Sequence, residues 1–572
     1  MADRMPDHTE GLVYLALGGA GEIGMNLSLY GVDDEWLMVD LGIAFADESQ
    51  PGIDVLVPDT AWIEARRDKL LAIVLTHCHE DHLGAVAHVW PRLRCPVFAS
   101  PYAAALLRGK LIEAGLEDQV PVTIIGDSAP FDIGPFQLSM LGVTHSTMES
   151  KSLAIDTFYG RVVHSGDWKL DPSPLVGDVT DEAGLRAFGD RDVLAFVCDS
   201  TNVFSPGRSG SEADVRAGLD ALIKDRKGRV AITTFASNLA RIETVAVVAE
   251  RHGRHLAVVG RSLWRTIEIA RETGYADNLP PILEGDEASF LPPDKVLYLC
   301  TGCQGEPRGA MARVAFGNHP HVVLEPGDLT VFSSKIIPGN ERAIGRLHNA
   351  LVADGIKVIT EKDALVHVSG HPCVDEMAEM YSWIRPRISV PVHGEARHLG
   401  RHAELAQSWG VPHTARILNG DLLRLAPDGP TRLGQVQVGR LAVDAGGLVP
   451  TADPSLQVRR KLMYNGAAHV TLVLDPQGHL IAEPDVRLIG VIDSDREDGL
   501  RSLLVDELQQ SIGALRRKAA RSDDSVRETA AQLVRRQVRQ VCSRRPLTEV
   551  AVVRLGPNGS TIVTEIEKEA LT

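Results

Sequence analysis

Cysteine is scarce in this chain of 572 residues: there are seven, an odd number with no regular spacing. That excludes a disulfide-stapled extracellular scaffold and points to a reducing compartment. Long hydrophobic runs are missing, so no stretch reads as a membrane span and no membrane contact is expected. The opening residues MADRMPDHTEG lack the apolar region of a secretory signal, and a cytoplasmic location is the expectation. Internal repeats and low-complexity tracts are absent too. Net positive charge is lacking: the formal charge is −17. Such a balance favours solubility and repels polyanions at long range, yet it leaves room for a local basic groove or for bound cations. A hydrophobic share of 44% and a charged share of 24% are ordinary for globular protein, and the length calls for two to four domains.

What is present centres on residues 70–84. Leu70 to Leu75 is a short apolar run of the kind that forms a strand covered on both faces. It ends in a polar turn with His77, His79, Asp81 and His82, followed by an apolar, helix-like stretch from Leu83 to Trp90. Three imidazoles and a carboxylate on one short loop suit zinc or a similar divalent ion, since neighbouring ligands lose little entropy on binding. Scattered surface polarity is the competing reading, and the density of the cluster argues against it. Cys78, between two of the histidines, is expected to pack away from them.

Upstream, Gly19-Ala20-Gly21-Glu22-Ile23-Gly24 matches the dinucleotide-binding pattern, but a helix should follow. The alternation of residues 26–32, the turn at Asp33-Asp34-Glu35 and the run Trp36 to Asp40 predict a β-hairpin instead. Downstream, apolar strands end at His145, Asp167 and Asp199, as the earlier one ends near His77. That recurrence predicts a sheet sandwich with ligands collected on one rim. From about Gly210 helical stretches alternate with apolar strands, the grammar of a parallel βα domain. Strands ending in His return at Val366–His371 and Pro391–Glu395, so the first domain is split in sequence. Residues 445–460 read as a linker. A small α/β unit follows, with strands over 468–474, 480–487 and 549–555 and helices over 500–519 and 525–543. Ten Lys and Arg against three acids between Arg516 and Arg545 read first as a solvated helix face, and second as a nucleic-acid surface.

The set His77-x-His79-x-Asp81-His82, His145, Asp167 and His393 resembles the metallo-β-lactamase fold. The inserted βα segment, with Asp199-Ser200-Thr201, Ser369-Gly370-His371 and Pro391-Val392-His393-Gly394-Glu395, resembles the nucleic-acid-processing β-CASP branch. GGAGEIGMN at 18–26, TTFASN at 233–238, TGCQGEP at 301–307 and IPGNE at 337–341 narrow the likeness to the ribonuclease J family over residues 10–450. Cys303 and Arg308 depart from the family pattern, in a turn that carries no proposed ligand.

The resemblance implies an α/β protein: an αββα metallo-β-lactamase sandwich in two parts (1–208 and 366–448), an inserted β-CASP domain (209–365), a linker (449–464) and a small C-terminal α/β domain (465–572). It implies two divalent ions, zinc first with manganese or magnesium as alternatives. His77, His79 and His145 would hold one, Asp81, His82 and His393 the other, with Asp167 shared. Asp40 and Asp199 would orient imidazoles from behind. His371 would protonate the leaving sugar oxygen, with Asp81 and Asp167 as catalytic carboxylates. Ser369, Gly370, His371, His367, Ser333 and Ser334 would form a pocket for a 5′-monophosphate. The implied activity is 5′-to-3′ exonucleolytic, with endonucleolytic cutting in addition, on single-stranded RNA during RNA maturation and decay. A homodimer or homotetramer built partly by the C-terminal domain, and RNA-decay partners, are also implied. A β-CASP DNA nuclease, a small-ester metallohydrolase and a non-catalytic scaffold are the rival readings. A scaffold predicts missing ligands, and none is missing.

Overall fold

The computed structural model describes residues 10–126 and 129–556, with the backbone of 561–562. The chain divides into two compact units, one running to Ala44 and resuming over Val55–Leu441, the other comprising Phe45–Asp54 and the chain from Ala442 onward.

In the first unit, Leu70–Val74 lies inside an eight-stranded sheet, parallel to both Glu35–Val39 and Val97–Ala99. The hairpin expected after the glycines forms: Leu12–Gly18 pairs antiparallel with Leu27–Val32, and that strand pairs with Glu35–Val39. Its turn residues Asp33 and Asp34 have φ of 48° and 69°, the left-handed pair that a two-residue turn needs to match strand twist. A seven-stranded sheet contains Phe136–Gly142, Lys151–Thr157, Gly160–His164, Val193–Asp199 and Ile388–Val392. The inner faces of the two sheets share one core, with Tyr14, Val39 and Val74 from the first meeting Leu138, Ile155, Val197 and Val390 from the second. The outer face of the second sheet is covered by helices Glu182–Gly189, Val374–Ile384 and Ala396–Ser408. This is the αββα sandwich expected.

The insertion forms a six-stranded sheet, parallel throughout, with Val230–Thr233 between Val296–Cys300 and Leu329–Phe332. The second unit has Ala467–Leu474 central in its own sheet, with helices Ser494–Gly513 and Asp523–Cys542 over one face.

Several boundaries differ from the sequence reading. Residues 449–464, expected as a linker, carry the end of strand Gly447–Pro450 and most of helix Pro454–Asn465. Asp453 caps that helix by accepting from Ser455 N, and Pro454 opens it, so residues that look like loop composition are helix-start signals. Residues 45–54 group with the second unit. The strand expected over 480–487 is Asp485–Ile489, with Leu480 making only an isolated bridge to Leu474. The helix expected over 500–519 begins at Ser494, with Asp495 and Glu497 in its first turn, and stops at Gly513. The apolar stretch after the metal loop is two short helices, Glu80–Leu83 and Val86–Leu93. Among the described residues no helix is long and apolar enough to cross a membrane.

Candidate metal centre and active site

Five strands deliver polar residues to one rim. His77 follows Leu70–Val74, His145 follows Phe136–Gly142, Asp167 follows Gly160–His164, Asp199 ends Val193–Asp199, and His393 follows Ile388–Val392. At that rim lie three overlapping groups, in each of which the ligand-type atoms fall within 4.8 Å of one another: His77, His79, His145 and Asp167; Asp81, His82, His393 and Asp167; and Asp167, Asp199, His371 and His393. Asp167 is the common member. Its Oδ2 is 3.3 Å from His82 Nε2, 3.5 Å from His393 Nε2, 3.7 Å from His145 Nε2 and 3.8 Å from His77 Nε2. Asp81 Oδ2 stands 3.6 Å from His82 Nε2 and 3.8 Å from His393 Nε2.

Each of the five imidazoles is tied on its far nitrogen, which turns the other nitrogen's lone pair inward. His82 Nδ1 donates to Asp40 Oδ2 at 2.7 Å, and Asp40 also accepts from Thr76 N and Thr76 Oγ1. With its proton given to Asp40, the Thr76 hydroxyl accepts from His77 Nδ1 at 3.0 Å. His145 Nδ1 donates to Gly370 O at 2.6 Å, His79 Nε2 to Ser237 Oγ at 3.1 Å, and His393 Nδ1 to Asn26 Oδ1 at 2.9 Å. Thr76, Asn26 and Ser237 were not singled out from sequence. Asn26 and Ser237 lie inside motifs quoted above, GGAGEIGMN and TTFASN. The glycine-rich loop is thus no cofactor loop: it ends in the residue that orients His393.

The backbone is fitted to the same end. Leu41 N and Ile43 N donate to His82 O and Glu80 O, and Asn26 N donates to Asp81 O. Gly42 permits this clamp, since a Cβ there would fall 1.7 Å from Asp81 O. Asp40 and His393 both adopt left-handed backbone, with φ of 64° and 52°, a strained state that packing must hold.

Burial pushes the imidazoles of His77 and His145 well below their usual pKa, and that of His79 to about 4. They are neutral at physiological pH, the form that binds metal. Burial works the same way on His82, but the carboxylates of Asp167, Asp81 and Asp40 outweigh it and hold that ring well above. Burial would raise Asp167, and the surrounding His393 and His82 instead keep it well below the ordinary carboxylate range.

Divalent ions fit these residues. Asp167 Oδ1 is buried without a hydrogen-bond partner, a costly state unless a cation completes it. His79 Nδ1 lies 3.2 Å from His77 Nε2 and 3.0 Å from His145 Nε2, near the edge of about 3.3 Å of a tetrahedron with metal–nitrogen bonds of about 2.0 Å.

His371 stands beside this cluster. Its Nδ1 is 2.8 Å from Asp199 Oδ2 and 3.8 Å from Asp167 Oδ2. Asp199 Oδ1 is held by Thr201 N and Oγ1. Burial alone would lower the His371 pKa, but the carboxylates of Asp199 and Asp167 carry it up to about 9. Asp199 therefore orients His371 and not one of the proposed ligand rings, a correction to the sequence reading. Asp40 does serve a ligand-set ring, His82.

Of the residues expected around a 5′-phosphate, Ser369, Gly370 and His371 share one turn, pinned by Asn202 Nδ2 donating to Ser369 Oγ and His371 O. His367 lies close by, its Nδ1 buried and without a partner, with its pKa well below normal through burial and through Arg241, Lys335 and Lys169. Ser334 is buried. Ser333 does not belong with them: its fully buried hydroxyl donates to Val366 O at 2.6 Å and accepts from Arg241. Cys78 is buried against Thr147 Oγ1, as expected. Cys303 is buried, and Arg308 is exposed.

Comparison with known proteins agrees over most of the chain. Residues 21–226 match the model of the metallo-beta-lactamase superfamily, 227–351 that of the ribonuclease J beta-CASP domain, 355–415 that of the Zn-dependent metallo-hydrolase RNA specificity domain, and 455–555 that of the ribonuclease J C-terminal domain. The chain is 41% identical to ribonuclease J of Sinorhizobium meliloti over 551 residues, covering 96% of this chain and 98% of the relative. It is 39% identical to ribonuclease J of Mycolicibacterium smegmatis over 468 residues (81% and 83%) and 35% identical to that of Thermus thermophilus over 501 residues (85% and 87%). With the two halves of a metallo-β-lactamase sandwich, a β-CASP insertion and the C-terminal module all present, the chain belongs to the ribonuclease J family and is a metal-dependent, RNA-binding ribonuclease.

Proposed function

We propose that the protein hydrolyses single-stranded RNA from its 5′ end, prefers a 5′-monophosphate, and also cuts internally, using two divalent ions, zinc in the first place. The observation that carries the reading is the convergence on Asp167 Oδ2 of four imidazoles from loops as distant as 77 and 393, with His371 alongside. His77, His79 and His145 would hold one ion, Asp81, His82 and His393 the other, and Asp167 both. When bound, the ions supply Lewis acidity toward water and toward the non-bridging phosphate oxygens. The chain's own residues do the rest. Asp40, Thr76, Ser237, Asn26 and the Gly370 carbonyl fix which nitrogen of each ring faces the metal cluster. Asp199 accepts from His371 Nδ1, which leaves Nε2 to hold a proton for the departing 3′ oxygen. The hydroxyl and backbone N–H groups of the Ser369–His371 turn, with His367 and Ser334, would receive the 5′-phosphate. Seven free cysteines, all buried except the half-buried Cys542, support a reducing, cytoplasmic setting. The domain limits given from sequence, a homodimeric or homotetrameric assembly and RNA-decay partners belong to the same proposal.

The test is time-resolved cleavage of matched RNA and DNA oligomers labelled at either end, with 5′-phosphate or 5′-hydroxyl, with and without chelator. Mononucleotides released first from the 5′-phosphorylated RNA end support the reading. DNA turnover at the same rate, or small-ester hydrolysis without RNA cleavage, would overturn it.

A further inference from the structure

The net negative charge is unevenly spread. Residues 442–572 hold as many Lys and Arg as Asp and Glu, so that with Asp47, Glu48 and Asp54 the second unit carries only −3 of the formal charge of −17. Within this second unit one group of basic residues lies at the end of its sheet where strand Ala467–Leu474 begins. Helix Pro454–Asn465 finishes there, and Asn465 Oδ1 accepts from Arg545 N at 3.0 Å. Gly466 O accepts from Leu547 N, and Arg544 Nη1 donates to Gly490 O. Helix Asp523–Cys542 ends at the same place, with Cys542 Sγ against Val491 O and Arg539 in its last turn.

Arg460, Lys461, Arg539, Arg544 and Arg545 are therefore brought together, all exposed. Among the described residues, the side chains of Arg460, Lys461, Arg539 and Arg545 have no ion pair or hydrogen bond. Of the unit's carboxylates, Asp444 is matched by Arg459 and Asp493 by Arg496, while Asp495 and Glu497 open the helix that begins after Gly490. Tyr464 stands one helical turn from Arg460 and Lys461, on their side of the helix, with 58% of its surface open. Unpaired cations around one exposed aromatic ring are what a single-stranded nucleic acid requires: charge for its phosphates and a flat face for a base.

We propose that Arg460, Lys461, Tyr464, Arg539, Arg544 and Arg545 form a second contact surface for single-stranded RNA, made of residues outside the metal cluster. The proposal rests on RNA as the substrate and on nothing in the 5′-end preference. It predicts that long RNAs gain affinity from this surface and that very short ones do not.

The test uses the full chain, the triple variant R460E/K461E/R545E and the variants Tyr464→Ala and Tyr464→Phe. Binding of a 30-nucleotide RNA is followed by anisotropy in chelator across a salt series, and turnover of a five-nucleotide 5′-phosphorylated RNA is measured beside it. Loss of three phosphate contacts should flatten the slope of log affinity against log salt by about 2. Tyr464→Ala should weaken binding about five- to a hundredfold, and Tyr464→Phe should restore it. Turnover of the short RNA should be unchanged in all of them, which separates failure here from failure of the catalytic reading. An unaltered salt slope would overturn the proposal. So would a drop in molar mass by light scattering with RNA affinity kept, since exposed Met463 and Ile489 would then mark an interface between copies.

Discussion

Single polar atoms decide whether this centre works. Asp40 anchors two members of the cluster, His82 directly and His77 through Thr76. Asp40→Ala should leave the sheet core intact and weaken metal binding about 10- to 100-fold, the usual cost of losing an orienting carboxylate. Competition against a chelating dye reads this directly, and unchanged affinity would remove Asp40 from the site. Asp199→Asn keeps the shape but turns the acceptor for His371 Nδ1 into a poorer and ambiguous one. We expect turnover to fall about 10²- to 10⁴-fold with KM little changed, in single-turnover cleavage of 5′-labelled RNA. A rise in KM at constant turnover would mean that Asp199 serves substrate binding instead. These roles were only partly visible in sequence. Three histidines within six residues announce themselves, whereas Thr76, Asn26 and Ser237 are ordinary polar residues until a fold turns them toward a ring. Ser333 shows the converse error. A serine hydroxyl resembles a phosphate ligand, but here a buried guanidinium from helix Leu239–Arg251 claims it.

Elements act by how closely they approach. The Ser369–His371 turn reaches the cluster because residue 370 has no side chain: a Cβ there would meet Ser146 Oγ at 2.7 Å and His145 Cε1 at 3.0 Å. Gly370→Ala should push the turn off His145 and cut RNA turnover by at least tenfold, with the melting temperature nearly unchanged. Wild-type turnover would show that the turn has room to shift. The segment leading into this turn is tied to the insertion by Arg241, fully buried, whose guanidinium donates to both Glu212 oxygens, Ser333 O and Val366 O. Burial would raise Glu212, but Arg241 outweighs it and holds the carboxyl below its usual range. A depressed carboxyl stabilises the fold above the unfolded pKa of about 4.3 and loses that contribution as pH falls through the folded value. Arg241→Met strands the carboxylate and should cost about 3–5 kcal/mol at neutral pH, less under acid, in denaturant unfolding. Equal losses at pH 7 and pH 4 would contradict the pairing. The alternation of strand and helix that builds this insertion was legible because each element is long and its apolar period is clear. Residues 449–464 were misread because Asp453, Pro454 and Ser455 are loop residues by composition and helix-opening residues by position.

At the scale of the molecule, His82 and His393 meet across a six-stranded insertion, and nothing local in either sequence predicts the other. Recurrent strand ends marked His145, Asp167 and the stretch holding His393 as candidates; family resemblance supplied their assignment to two ions. The grouping of residues 45–54 with the second unit was illegible for the same reason, since contact across almost four hundred residues leaves no periodic trace. Deleting residues from 442 onward should lower the mass of the assembly by more than the deleted chain, if that unit helps to join copies, while leaving the ligand cluster in place. Light scattering that shows only the loss of the deleted residues would exclude an assembly role. The central claim is that two ions share Asp167. Anomalous diffraction at the zinc edge from metal-loaded crystals tests it most directly. The account predicts two peaks per chain, one among His77, His79 and His145 and one among Asp81, His82 and His393, each within about 2.0–2.2 Å of Asp167. A single peak, or peaks away from Asp167, would contradict it.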